Sequence, residues 1–265
     1  MIRHVHIEIL HRDNIDFDVD LDLTHMQDWT INHYLDHNAH PEPELIHFLV
    51  RALRPGMYAV DCGACTGFFT LVMATLAGPD GLVLAIEPGK NNLPRLRANV
   101  DLNPVLKIAV SPAALLDKAC DAEFLVLDNS GLNSFIQPRF DPPGEKVMIR
   151  TAALSDLVKQ KPDVIKIDIE GAETIVLKHW LETGPRCPYI VSEANAEALD
   201  RFGSSIAELR GILLEHGYET FLLTDNGMMP VLVPAGVFIH AKRQNLDVLF
   251  CSMPDMIRLW PEVEV

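Results

Sequence analysis

VDCGACTGFFT, residues 60–70, joins a short apolar run to a helical one through a turn of small residues. Asp61 closes the first run, Gly63 and Gly67 open the turn, and Thr70 falls in the helix that follows. A strand passing into a helix this way is the repeating unit of doubly wound α/β folds, where ligands bind outside the carboxyl ends of the strands. Glycines let backbone approach a ligand closely, and a helix N-terminus offers N–H groups to a carboxylate or phosphate. This one turn therefore points to both a fold class and a place for a site.

Outward from it the same alternation repeats. MYAVDC (57–62), GLVLAIE (81–87), VLKIAV (105–110), PDVIKID (162–168) and PYIVSE (188–193) read as short apolar strands. PEPELIHFLVRAL (41–53), GFFTLVMATLA (67–77), NNLPRLRANVDLN (91–103), AETIVLKHWLE (172–182) and SSIAELRGILLEHG (204–217) have helical spacing. Pro41 and Glu42 suit a first helical turn, and Pro94 is tolerable only near a helix start. Residues 217–233 suggest a hairpin turned by Asp225, Asn226 and Gly227, and NLDVLFCSM (245–253) a last strand. Residues 112–150 are less regular, with turn residues Asn129, Gly131, Pro138, Pro142, Pro143 and Gly144, although FLVLDNS (124–130) has strand character. Short apolar strands alternating with helices imply a parallel sheet covered on both faces. The expectation is a Rossmann-like, doubly wound, mostly parallel α/β domain over residues 41–265.

Residues 1–40 read as an extension. IDFDVDLDL (15–23) alternates strictly, HRDN (11–14) supplies a turn, and the two predict a β-hairpin with a solvated acidic face. His25, His33, His37 and His40, with Trp29 and Tyr34, have no strong metal-ligand spacing and read as a lid or connecting segment.

Composition narrows the function. The 265 residues are 48% hydrophobic, enough for a core without disulfides or metal. A net charge of -15 and the lack of any Lys/Arg run argue against a nucleic-acid substrate. The five cysteines (62, 65, 120, 187 and 251) are scattered and odd in number, as for reduced thiols in a cytoplasmic protein. No apolar run suits a signal peptide or a membrane span. A homo-oligomer stays open.

The turn at 61–70 lacks the middle glycine of a dinucleotide fingerprint. Asp61 would repel a pyrophosphate but can accept from an ammonium, and Glu87 can take both hydroxyls of a ribose. A ligand with an ammonium, a carboxylate and a ribose fits better than a nicotinamide dinucleotide, and S-adenosylmethionine is such a ligand. Gly63, Ala64, Gly67, Phe68, Thr70 and Pro88 complete the expected cofactor wall. Cys62 and Cys65 form a C-x-x-C with no second pair to complete a zinc site, so they read as small fillers of a tight turn.

The sequence resembles the FkbM-type methyltransferases through VDCGACTGFFT, AIEPGKNNLPRLRANV, TAALSDLVKQKPDVIKIDIEGAETIVLKHW and YIVSE, in that order, over roughly residues 42–195. The resemblance implies a class I methyltransferase fold and S-adenosylmethionine-dependent methyl transfer, usually to a hydroxyl of a sugar or small natural product. Cys62 and Cys65 depart from the family's usual residues in the loop, and residues 1–40 lie outside the match.

Within VIKIDIEG (164–171), alternation sets Lys166, Asp168 and Glu170 on one side if the strand continues that far. Asp168 or Glu170 then suits a general base, with Lys166 and Glu193 orienting or balancing charge. A structural Lys166–Asp168 ion pair is the competing role. Asp168, Glu170 and Glu193 could instead hold Mg²⁺. Asn133 and Ser134 either touch cofactor or acceptor or form a plain turn; Asp168 could also touch the cofactor; His37 or His40 could reach in as base. Two other functions stay open: a nicotinamide-dependent oxidoreductase on a similar sheet, and a non-catalytic cofactor-binding homologue.

Overall fold

The computed structural model describes residues 2–9, 15–22, 41–128, 130–138, 144–224, 230–237 and 247–261. β1 (Ile2–Ile9) and β2 (Ile15–Asp22) pair antiparallel, from Ile2 opposite Asp22 to Ile9 opposite Ile15. The Asp20 N–H donates to Asn103 Oδ1 at 3.2 Å, and Asn103 Nδ2 donates to the Asp20 carbonyl at 2.9 Å. These bonds tie the hairpin to the chain after the third helix. The HRDN turn, the histidine-rich segment and the 225–227 turn lie outside the described residues.

The parallel half begins with α1 (Pro43–Ala52), β3 (Tyr58–Cys62), α2 (Phe68–Ala77), β4 (Leu82–Ile86), α3 (Leu93–Asp101) and β5 (Ile108–Ser111). Next come β6 (Ala114–Leu116), β7 (Asp121–Val126), β8 (Glu145–Ala153) and the short α4 (Leu154–Leu157). The chain continues through β9 (Val164–Ile167), α5 (Glu173–Thr183), β10 (Tyr189–Glu193), α6 (Ala196–Arg201) and α7 (Ile206–Glu215). It closes with β11 (Glu219–Leu222), β12 (Val231–Leu232), β13 (Asp247–Cys251) and α8 (Met253–Leu259).

Eight strands form the central sheet in the order β12-β11-β13-β10-β9-β3-β4-β5. β5, β4, β3, β9 and β10 run parallel, and β13 lies antiparallel between β10 and β11. The chain runs outward from β3 to β5, then returns to β9 on the other side of β3. Between them, Ala59 faces Val164 and Cys62 faces Ile167. That boundary is the topological switch point, where open α/β sheets bind ligands.

Both faces of this sheet are buried, which is why its strands read as nearly continuous apolar runs. One core layer gathers Phe48, Leu71, Val164 and Leu249; the other gathers Val60, Ile165, Ile167, Trp180 and Phe250. Each such side chain contributes about 1.5–3 kcal/mol by leaving water. β9 alternates between the layers, so Lys166 shares the face of Val164, toward α2.

The structure corrects three expectations. Residues 112–150, read as less regular, contribute regular strands: β6, β8 and β7 make a separate three-stranded sheet with β8 in the middle. The polar, exposed face of β8 hides its pattern; Lys146 and Arg150 pair across to Glu123 (2.6 Å) and Asp121 (3.2 Å) on β7. α1 starts at Pro43 rather than Pro41, because Glu42 is left-handed at φ 45 and cannot join the helix. β9 stops at Ile167, so the strand alternation does not extend to Asp168 and Glu170. Among the described residues, no helix is long and apolar enough to cross a membrane.

Candidate cofactor and acceptor site

The carboxyl ends of β3, β4 and β9 open onto a cleft of about 270 Å³. The turn after β3 forms one wall. Gly63 has φ +83, and a Cβ added to it would stand 1.8 Å from the Asp168 carbonyl oxygen. Glycine is thus required where the exit of β9 crosses this turn, a reason internal to the chain rather than only the approach of a ligand. Gly67 (φ 98) precedes α2, whose first N–H groups have no side-chain cap. Ala64 and Phe68 line the cleft; Gly67 and Thr70 do not. Cys62 packs in the core, and burial pushes the Cys65 thiol up to about 12, so neither is a reactive thiolate. All five cysteines are free.

Asp61 is 1% exposed. Its Oδ2 accepts from the Thr70 hydroxyl at 2.6 Å, so Thr70 orients the carboxylate from below. Among the described residues, its Oδ1 has no hydrogen-bond donor, and the Lys166 ammonium lies 3.7 Å from it. Lys166 also approaches Asp168 Oδ2 at 3.4 Å and stands 5.4 Å above the Phe69 ring. Burial alone would favour the neutral amine, but Asp168 and Asp61 outweigh it and hold the ammonium above the ordinary lysine range. The ion pair weighed for Lys166 is therefore present, and it links the two strand ends rather than a single pair.

Glu87, 4% exposed, follows β4. Its Oε2 accepts the Cys65 N–H at 2.9 Å; its Oε1 accepts the Gly89 N–H at 2.7 Å and Asn92 Nδ2 at 3.2 Å. Burial pushes its carboxyl up to about 7 against those three donors. A carboxylate has about four acceptor positions, so Glu87 serves first to fix the turns after β3 and β4 and keeps little capacity for a bidentate grip.

After β9 the chain makes a tight turn. Asp168 and Glu170 both line the cleft, Glu170 from a left-handed backbone at φ 59. Glu193, ending β10, does not line it, but its carboxylate and those of Asp168 and Glu170 lie within 4.8 Å of one another. Burial, then the negative charge of Asp168 and Glu170, raises the Glu193 carboxyl well above the usual range. Asn133 lines the cleft, with Oδ1 taking the Leu127 N–H at 2.8 Å and Nδ2 donating to Asn91 at 2.9 Å. Ser134 is fully buried and donates to the Glu170 carbonyl at 3.1 Å instead of facing the cleft.

Sequence reasoning misses Phe69 and places only its neighbour Phe68 in the wall. It also misses the contribution of the three-stranded sheet. Phe124 on β7 and Phe135 form an edge-to-face pair at 5.2 Å on the cleft's apolar side, and Phe202 packs on Phe135 at 6.3 Å. His37 and His40 lie outside the described residues.

This strand order, with its cleft at the switch point, is the class I fold of S-adenosylmethionine-dependent methyltransferases. A protein assigned as an rRNA methylase in Clostridium thermocellum matches with a TM-score of 0.50 at 11% identity, over 79% of this chain and 96% of its own. A precorrin-6y C5,15-methyltransferase of Geobacter metallireducens matches at 0.46 and 15% identity, over 80% and 87% of the two chains. The methyltransferase FkbM of Methylobacillus flagellatus matches at 0.44 and 20%, over 79% of this chain and 50% of that one, so the present chain spans half its length. The methyltransferase FkbM domain matches residues 61–220, and the chain belongs to that family. No curated protein matches the sequence.

Proposed function

We propose that this protein transfers a methyl group from S-adenosylmethionine to a hydroxyl of a sugar or small natural product. The observation that carries the reading is the buried Asp61, with one oxygen lacking a donor among the described residues, facing the same cleft as Asp168 and Glu170 at the switch point. Asp61 would take the cofactor's ammonium, Gly63 and Ala64 would lie under its amino-acid tail, and Glu87 and Pro88 would border its ribose. S-adenosylmethionine supplies a methyl group already activated on a sulfonium. The chain's own task is to place the acceptor oxygen and remove one proton. The C–S bond breaks as the C–O bond forms, and the hydroxyl proton passes to Asp168 or Glu170. Lys166 steadies Asp168, and Glu193, whose raised carboxyl keeps its proton more readily, shares the charge.

Among the described residues, the acids of this cleft outnumber its one lysine, which favours neutral or cationic acceptors over polyanions. A cytoplasmic setting fits the five reduced cysteines. The convergence of Asp168, Glu170 and Glu193 favours a second reading, with Mg²⁺ among them; the Lys166 ammonium beside Asp168 weighs against it, and activity surviving EDTA would exclude it.

Calorimetry with S-adenosylmethionine and S-adenosylhomocysteine tests the cofactor; binding of neither at millimolar concentration ends the proposal. With an acceptor in hand, Asp168→Asn should lower kcat by about 100-fold or more while S-adenosylhomocysteine binding persists. Tight cofactor binding with no methylated product over a broad acceptor panel would point to a non-catalytic homologue.

A further inference from the structure

The turn from Asp168 to Gly171 is held in a conformation its residues do not prefer. Glu170 is left-handed at φ 59 without being glycine, a region L residues avoid. Gly171 follows at φ +113, where a Cβ would stand 2.3 Å from the Ala198 carbonyl oxygen. Such strain persists only where the surroundings over-determine it.

Two side chains outside the cleft do so. Glu173, the first residue of α5 and 3% exposed, accepts the Ile169 N–H at 2.9 Å and the Gly171 N–H at 3.3 Å on one oxygen, Oε1. Ser134 donates its hydroxyl to the Glu170 carbonyl at 3.1 Å. Its own backbone is bonded both ways to Leu125 of β7, at 2.8 and 3.2 Å. The backbone at 169, 170 and 171 is therefore gripped from two sides, by the helix that follows and by the three-stranded sheet. Neither Glu173 nor Ser134 lines the cleft, so both act through the turn.

We propose that Glu173 and Ser134 are positioning residues that lock residues 168–171 into the strained turn presenting Asp168 and Glu170 to the cleft. The proposal rests on the methyl-transfer reading of that cleft. The Asp168 carbonyl abuts Gly63, so a relaxed turn also shifts the floor under the cofactor.

The test compares Glu173→Ala, Glu173→Gln and Ser134→Ala with the parent protein by amide exchange in NMR and by calorimetry with S-adenosylhomocysteine. In Glu173→Ala, loss of the shared acceptor oxygen should speed exchange at Ile169 and Gly171 about tenfold or more and weaken S-adenosylhomocysteine by about tenfold. Glu173→Gln retains an acceptor oxygen and should restore both to within about threefold. Ser134→Ala should loosen the same amides while those of β3 and β4 keep their protection. Unchanged exchange at 169–171 in both Ser134→Ala and Glu173→Ala overturns the clamp. Faster exchange with unchanged affinity overturns its positioning role. If Glu173→Ala does not fold, Ser134→Ala decides, and unchanged exchange at 169–171 in that variant overturns the clamp. Parent protein that binds neither S-adenosylmethionine nor S-adenosylhomocysteine sinks the methyl-transfer reading, while the exchange data still report on the clamp.

Discussion

Lys166 is where one residue explains most. Val164, Ile165 and Ile167 around it are fully buried, and a lone ammonium there would be untenable. Its place depends on Asp61 and Asp168, and theirs on it. A buried ion network of this kind gains little over a well-packed apolar substitute, but losing one member leaves the others uncompensated. Lys166→Met should therefore destabilise the unliganded protein by about 3–5 kcal/mol, lowering Tm by roughly 10 °C. Combining it with Asp61→Asn should recover part of that loss. Thermal denaturation of the two variants checks this; a Lys166→Met protein melting with the parent would show that the network carries no strain. The three charges in VIKIDIEG are visible in the sequence, and so is their convergence on one site. Hidden is the route: alternation reaches only Lys166, and Asp168 and Glu170 arrive through a turn whose left-handed Glu170 depends on distant partners. Glu87 shows the same limit. Its acid at the end of β4 is legible, but its three protein donors come from backbone and side chains that only the fold assembles.

At the scale of elements, the sequence is most informative where burial is two-sided. β3, β4, β9 and β10 read as apolar runs because helices cover both faces, and the helices between them are bounded within a few residues. β8 escapes notice, because one of its faces meets water and only every second residue carries an apolar signal. α6 and α8 span six and seven residues, too short for periodicity to show. Two glycines separate backbone strain from crowding. Gly203 (φ +71) has nothing within 4 Å of an added Cβ, whereas Gly63 (φ +83) has the Asp168 carbonyl at 1.8 Å. Gly203→Ala should cost only the left-handed penalty of about 1–2 kcal/mol and leave S-adenosylhomocysteine binding alone. Gly63→Ala should cost more and also abolish that binding, since the turns after β3 and β9 can no longer touch. Denaturant melts paired with calorimetry decide it. Equal effects from the two substitutions would mean that conformation, not contact, is what Gly63 supplies.

For the whole molecule, the acids gathered at the carboxyl edge of the sheet set the direction in which stability changes with pH. Burial pushes Glu87 and Glu173 up to about 7, and raises Glu193 and Asp247 well above their usual range. Unfolded, the glutamates release their protons near the ordinary value of 4.5 and Asp247 near 3.8. Between those limits the folded chain binds more protons than the unfolded one, so stability falls as pH rises and levels off once the folded groups have ionised. The raised Lys166 does not alter this slope, because its ammonium is charged in both states throughout that window. Each tenfold difference in proton affinity between the folded and unfolded chain is worth about 1.4 kcal/mol. The unliganded protein should therefore melt higher at pH 5.5 than at pH 8, by on the order of 5 °C. The net charge of -15 pushes the same way, but added salt distinguishes the two causes. Repulsion among exposed carboxylates is screened at high ionic strength, whereas the cost of ionising Glu87 or Glu173 in the interior is not. The difference in Tm should thus survive about 1 M salt, and Glu87→Gln, which removes one buried acid, should flatten it. A Tm that climbs from pH 5.5 to pH 8 would mean that these carboxyls are ionised at little cost in the folded chain, and their place in a poorly hydrated interior would have to be abandoned.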